Sequence, residues 1–211
     1  NSSYEDLSRA ASIARQAAQL DLEPQAQLIV CPGSEQICQT AERDGLLDDL
    51  RRIGAVIMTN ACGPCIGQWH RHTDDNERTN AIVTSFNRNF RRRADGNPNT
   101  HAFIGSPDIT MAMAISGRLD FNPATDTLVN RKGETVRLAE PTGDVFPRDG
   151  FAPAPGGLIP PSASAADVQV VIPDGSERLQ RLEPFEPCTE TLLTDMPLLI
   201  KVSGKCTTDH I

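Results

Sequence analysis

Four short apolar runs, at 27–30 (Gln-Leu-Ile-Val), 55–58 (Ala-Val-Ile-Met), 81–84 (Ala-Ile-Val-Thr) and 102–104 (Ala-Phe-Ile), constrain the fold of this chain more than any other feature. Each is bounded by turn residues and is too short to give a helix its buried stripe, so each reads as a strand covered on both faces. Buried strands separated by helical stretches imply a parallel sheet with helices packed on it. The intervening patterns agree: residues 34–44 and 46–53 read as helices, and 108–116 as another behind Pro107. Ser2 and Glu5 fit a Ser-x-x-Glu capping box. Leu7, Ala10, Ala11, Ala14, Ala17 and Ala18 then recur at helical spacing, which predicts a helix over 3–20 with a small-residue face suited to close packing. The expected fold class is α/β, an open, mostly parallel sheet flanked by helices. Ligands of such sheets bind at the carboxyl ends of the strands.

The chain has 211 residues and 38% hydrophobic content, enough for a packed core in at least part of it. With 28 acidic against 20 basic side chains its net charge is −8, which argues against a general nucleic-acid or membrane-surface binder. Six cysteines in a chain this long do not make the disulfide framework of a small secreted domain, so a reducing compartment is expected. No secretory signal and no apolar run near a membrane span is present, and the chain opens on Asn1-Ser2-Ser3 without Met, as a piece of something larger would. Residues 141–175 are crowded with Pro, Gly, Ala and Ser and read as a linker or surface strap, whereas 198–202 (Leu-Leu-Ile-Lys-Val) read as one more strand.

The strand-end loops hold the chemistry. Cys62-Gly63-Pro64-Cys65 puts two thiolate-capable side chains on one turn, and Gly-Pro lets the backbone come close to a bound group. A redox dithiol, a zinc knuckle and an iron–sulfur half-site start level. Zinc falls behind because no second Cys pair follows at ribbon spacing, and redox use lacks a convincing helix after the turn. The loop Asn87-Arg88-Asn89-Phe90-Arg91-Arg92-Arg93 packs four arginines into an acidic chain. A charge run is ordinarily a solvated loop, with Arg91 and Arg92 facing water. Its place after a strand, on the same rim as Cys62 and Cys65, instead favours an anionic small molecule gripped by guanidinium forks. His101 reads as a satisfied structural histidine, and Cys31 and Cys38 as small buried hydrophobes. Asp209 before His210 fits either a helix N-cap or the partner of a histidine.

Several strings together closely resemble the aconitase family, mitochondrial-type branch: 60–69 (Asn-Ala-Cys-Gly-Pro-Cys-Ile-Gly-Gln-Trp), 83–90 (Val-Thr-Ser-Phe-Asn-Arg-Asn-Phe), 97–103 (Asn-Pro-Asn-Thr-His-Ala-Phe) and 204–211 (Gly-Lys-Cys-Thr-Thr-Asp-His-Ile). The resemblance covers nearly the whole chain, as the family's third domain, its linker and the start of the fourth. It implies an α/β cluster domain at 1–138, an extended linker at 139–197 and the first residues of a swivel domain at 198–211. It also implies an aconitate hydratase, a hydro-lyase of the tricarboxylic acid cycle that interconverts citrate and isocitrate through cis-aconitate at a 4Fe-4S cluster. By motif match Cys62 and Cys65 are two of three cluster-binding cysteines, Arg88 and Arg93 hold substrate carboxylates, Asn87 stands next to the cluster, and Asp209 is catalytic, supporting a histidine acid/base pair.

The chain departs from the family at His70, usually an aspartate there, and at Arg91-Arg92, which replace smaller residues. The third cluster cysteine is expected just upstream of Asn1, and the other substrate-binding groups in the remaining aconitase domains, its expected partners. This segment alone is therefore expected to be inactive. The resemblance places the parent in a bacterial cytoplasm or a mitochondrial matrix and leaves a homoaconitase-type hydro-lyase, or an RNA-binding aconitase-like module, as alternatives; net acidity argues against nucleic acid as a partner.

Overall fold

Helix α1, Tyr4–Gln19, starts where a Ser-x-x-acid pair can close on itself. In the computed structural model, which describes residues 3–61, 63–67, 69, 71, 77–85, 90–154, 159–189 and 194–204, Ser3 is the N-cap. Its hydroxyl accepts from the Asp6 amide at 3.1 Å and the Asp6 carboxylate accepts from the Ser3 amide at 2.9 Å. The cap therefore falls one residue later than the Ser2/Glu5 pair expected from sequence. The shift leaves Tyr4, Leu7, Ala11, Ala14 and Ala17 on one buried face.

The other helices are α2, Glu35–Arg43, α3, Leu46–Arg52, and α4, Pro107–Ser116. Ser34 and Ser106 cap α2 and α4 by accepting from the third amide along, and Pro107 sits where a missing N–H costs nothing. Helix α1 packs on both α3 and α4, and Leu47, Leu50, Ala112 and Ile115 close the core with the alanine face. Arg9 on α1 clasps Asp108 on α4 through Nε and a terminal nitrogen, the shortest contact being 2.6 Å; that hydrogen bonding holds the guanidinium more firmly protonated.

The strands are β1, Ile29–Val30, β2, Val56–Ile57, β3, Asn80–Thr84, β4, Thr100–Ile104, β5, Leu128–Val129, and β6, Thr135–Val136. β1 pairs with β2 and β3 with β4, both in parallel, while β5 and β6 form an antiparallel hairpin. The fold is thus mixed α/β with parallel pairs. One open sheet is not what the described hydrogen bonds draw: a cavity of about 330 Å³, lined by Val30 and Cys31 on one side and Ile82 and Val83 on the other, lies between the two parallel pairs.

The chain divides into two units, 1–159 and 160–211. Within the first, residues 138–152 run along α1 and α2. The Ala139, Thr142 and Asp144 amides donate to Gln16 Oε1, Ser12 Oγ and Ser8 Oγ, three acceptors spaced one turn apart on α1, and the Ala152 amide donates to Thr40 Oγ1 at 2.9 Å. Gly143 makes this approach possible, since a Cβ there would stand 2.5 Å from Arg9 Cγ. The second unit has one 3-10 turn, Ala165–Asp167, among its described residues. Residues 198–202 carry no strand, contrary to expectation, because an apolar run becomes a strand only when another strand offers it hydrogen bonds.

Candidate functional site

Past β2 the chain enters a single 3-10 turn, Pro64–Ile66. Pro64 takes the first position with its φ preset and no amide to strand. Gly67 closes the turn at φ 77°, in the left-handed region. Glycine is required there twice over, because a Cβ would also stand 2.8 Å from the Arg93 carbonyl oxygen. Cys65 lies inside the turn as a free, half-buried thiol.

The arginine loop docks on this turn. Arg93 Nε donates to the Cys65 carbonyl at 2.8 Å, and its guanidinium carbon stands 5.1 Å from the Phe90 ring centroid, within cation–π range. Using Nε in this way leaves the terminal N–H groups of the fork for an anion beside the turn. Arg91 and Arg92 are exposed, as expected of a solvated loop. Cys31, at the end of β1, is half-buried; burial pushes its thiol up, and the Cys65 charge adds in the same direction. Cys38 is likewise half-buried, with its thiol raised by burial. His101 is exposed on β4.

A second set of side chains fixes the loop from below. Asp95, only 3% exposed at its side chain, receives Arg71 at 3.0 Å, the Thr100 hydroxyl at 2.8 Å and, through its other oxygen, the Asn97 amide at 3.0 Å. Arg71 also donates to Asn80 on β3. Sequence reasoning missed Arg71 and Asp95. Asp95-Gly96-Asn97-Pro98 carries turn chemistry that could have flagged the loop, but nothing local marks Arg71 as its partner.

Of the site residues expected from sequence, the structure brings Cys65 and Arg93 together; Cys62, Asn87, Arg88 and Asp209 lie outside the described residues. Among the described residues no group of three or more His, Cys, Asp or Glu side chains gathers around one point, and no helix is long and apolar enough to cross a membrane.

Comparison with known proteins adds a family. The sequence pattern of the aconitase family (aconitate hydratase) matches residues 1–117, more than half of the chain. A probable mitochondrial aconitate hydratase of Caenorhabditis elegans is 52% identical over the whole chain, covering 27% of that relative. The mitochondrial aconitate hydratase of Candida albicans is 50% identical and a probable one of Dictyostelium discoideum 49% identical, with the same coverage of both. The chain thus spans about a quarter of the length of the curated relatives it matches.

Proposed function

This chain belongs to the aconitase family, and from that premise we propose that it is the cluster- and tricarboxylate-binding portion of an aconitate hydratase that interconverts citrate and isocitrate through cis-aconitate. One observation carries the reading: the arginine matched to substrate binding is hydrogen-bonded to the backbone of a cysteine matched to cluster binding. A carboxylate held by Arg93 would therefore lie beside whatever Cys65 binds.

The donor set suits a 4Fe-4S cluster. Cys65 is a free thiol on a tight turn opened by glycine on either side, the geometry in which a thiolate and neighbouring amides can face a cluster. Cys62 and Cys65 would hold it, with the third cysteine from elsewhere in the longer protein, since the chain covers 27% of each relative. When bound, the cluster supplies a Lewis acid for the substrate hydroxyl. The chain's own residues do the remaining work in this reading. Arg93 and Arg88 neutralise and orient substrate carboxylates, Asn87 lies next to the cluster, and Asp209 sets the protonation of a histidine acid/base partner. In the longer protein the two parallel pairs join as one open sheet across the cavity between them, residues 139–197 serve as linker, and 198–211 begin a further domain. The mitochondrial names of the relatives favour a matrix location over a bacterial cytoplasm, and either would keep the cysteines reduced.

The test is anaerobic reconstitution of the longer protein with ferrous iron and sulfide, followed by spectroscopy of the cluster and an assay for cis-aconitate. Cys65→Ser should lose the cluster signal, whereas Arg93→Ala should keep the signal and lose turnover. A wild-type protein that holds its cluster and does not convert citrate would refute the assignment. Robust turnover by residues 1–211 alone would overturn the need for further domains.

A further inference from the structure

Arg93 and Cys65 stand in different loops, and a single Nε donation is a weak tether for a side chain that must meet an anion at a fixed height. The loop that carries Arg93 is tight. The Arg93 amide donates to the Phe90 carbonyl at 2.9 Å, the Gly96 amide to the Arg92 carbonyl at 3.1 Å, and Arg92 is held at φ 65°, a left-handed conformation uncommon for a residue with a side chain. Asp95, two residues beyond Arg93, anchors this loop. Its buried carboxylate bonds its own loop at Asn97, strand β4 at Thr100 and, through Arg71, the segment that leaves the cysteine turn. The two segments are therefore locked reciprocally: the loop's arginine holds the turn's carbonyl, and the turn's arginine holds the loop's aspartate. Arg71 Nε is buried without an acceptor among the described residues, while its terminal nitrogen donates to Asn80, Asp95 and Thr100.

We propose that Arg71 and Asp95 are positioning residues of the site, whose partly buried ion pair sets where the Arg93 guanidinium stands over the Cys65 turn and so sets the affinity for a carboxylate-bearing substrate. The affinity part of this rests on the functional reading above; the geometric part does not.

Two measurements separate them. In this chain, hydrogen exchange of Arg93 Nε–H, followed by nuclear magnetic resonance, reports its bond to Cys65. Asp95→Asn should speed that exchange by about tenfold, the equivalent of one hydrogen bond. Arg71→Lys, which keeps the charge and loses the fork, should fall between, and it serves if Asp95→Asn does not fold. Arg15→Ala, which breaks a 2.6 Å ion pair with Asp49 away from the site, should lower thermal stability and leave the exchange unchanged. In the longer, cluster-loaded protein, the same Asp95 and Arg71 variants should raise KM for citrate about tenfold with kcat little changed, while Arg15→Ala moves neither. Unchanged Arg93 exchange in both site variants overturns the proposal, as does an unchanged KM in an active enzyme. An inactive wild type with accelerated exchange in the variants refutes the hydratase reading and leaves the positioning geometry supported.

Discussion

Gly67 shows how much of the site depends on one missing methyl. Its φ of 77° is unfavourable for any L side chain, and an added Cβ would meet the Arg93 carbonyl oxygen at 2.8 Å, a backbone atom that cannot swing away. Gly133 is a natural control, with φ 80° and nothing within 4 Å. Gly133→Ala should cost about 1 kcal/mol for the backbone conformation alone, and Gly67→Ala should cost clearly more in urea denaturation while also releasing Arg93 from Cys65. Equal losses would mean that the loop does not rest on the turn. Tyr4 carries a pH dependence of its own. Its hydroxyl donates to Asp44 Oδ2 at 2.7 Å, and burial, reinforced by the Asp44 charge, raises the phenol from 10.0 to about 12. Arg43, hydrogen-bonded to the same carboxylate, holds Asp44 ionised below its usual range. Because the folded state favours the protonated phenol, this stabilisation is whole below pH 10 and is lost as pH rises towards 12, an amount on the order of 2–3 kcal/mol. Tyr4→Phe should be less stable than wild type by roughly 1 kcal/mol at neutral pH and should lose much less stability between pH 10 and 12. Parallel alkaline denaturation curves for the two proteins would rule this out.

Helix α1 organises the first unit because its two faces do different work. Its alanine face admits α3 and α4 closely, while Ser8, Ser12 and Gln16 receive the amides of residues 144, 142 and 139. Ser12→Ala removes the acceptor of a part-buried amide, and stability should fall by roughly 1–3 kcal/mol. Faster amide exchange at Thr142 should accompany that loss, with Gly133 in the β5–β6 hairpin unaffected. A loss of stability without faster exchange at Thr142 would place the effect in the helix itself. The contrast between helices and strands follows the range of the forces that build them. The four helices were legible because caps and periodicity are written within a few residues: the helix expected from residue 34 begins one residue later behind Ser34, the one expected from 108 begins one residue earlier at Pro107, and the shift from Ser2 to Ser3 is one step within the same signal. Strand positions were legible as apolar runs, but their pairing is not local. The break between β1–β2 and β3–β4 and the missing strand at 198–202 were therefore not readable, and the β5–β6 hairpin was hidden in a polar stretch around Asn130 and Gly133. The site divides in the same way. Cys62-x-x-Cys65 is a local pattern, whereas Arg71 and Asp95 meet across 24 positions of sequence with no shared motif.

At the scale of the whole molecule, the two units differ in what they bury. Residues 3–152 hold a core in which Leu47 and Leu50 are fully enclosed, whereas in the second unit Val171, Phe185 and Leu199 are 84%, 88% and 92% exposed. Apolar side chains left this open gain nothing from folding where they are, so opening such a segment costs almost nothing, while opening α1 costs most of the stability of the unit. Proteolysis reads that difference directly. Trypsin at trace concentration should cut residues 1–211 first after Arg178 or Arg181, both exposed, and leave a resistant fragment holding α1 to α4, whose Arg9, Arg15 and Arg51 sit on helices and are engaged in ion pairs. The curated relatives are long enough to supply covering surface, since the chain accounts for 27% of each. If residues 139–197 are a linker that lies against further domains, the same bonds in the longer protein should be cut at least tenfold more slowly, which corresponds to about 1.4 kcal/mol of added protection. Equal rates in the two contexts would mean that the exposed apolar side chains of the second unit are not covered by the rest of the protein. The linker assignment would then fall, while the Cys65–Arg93 site in the first unit would be untouched.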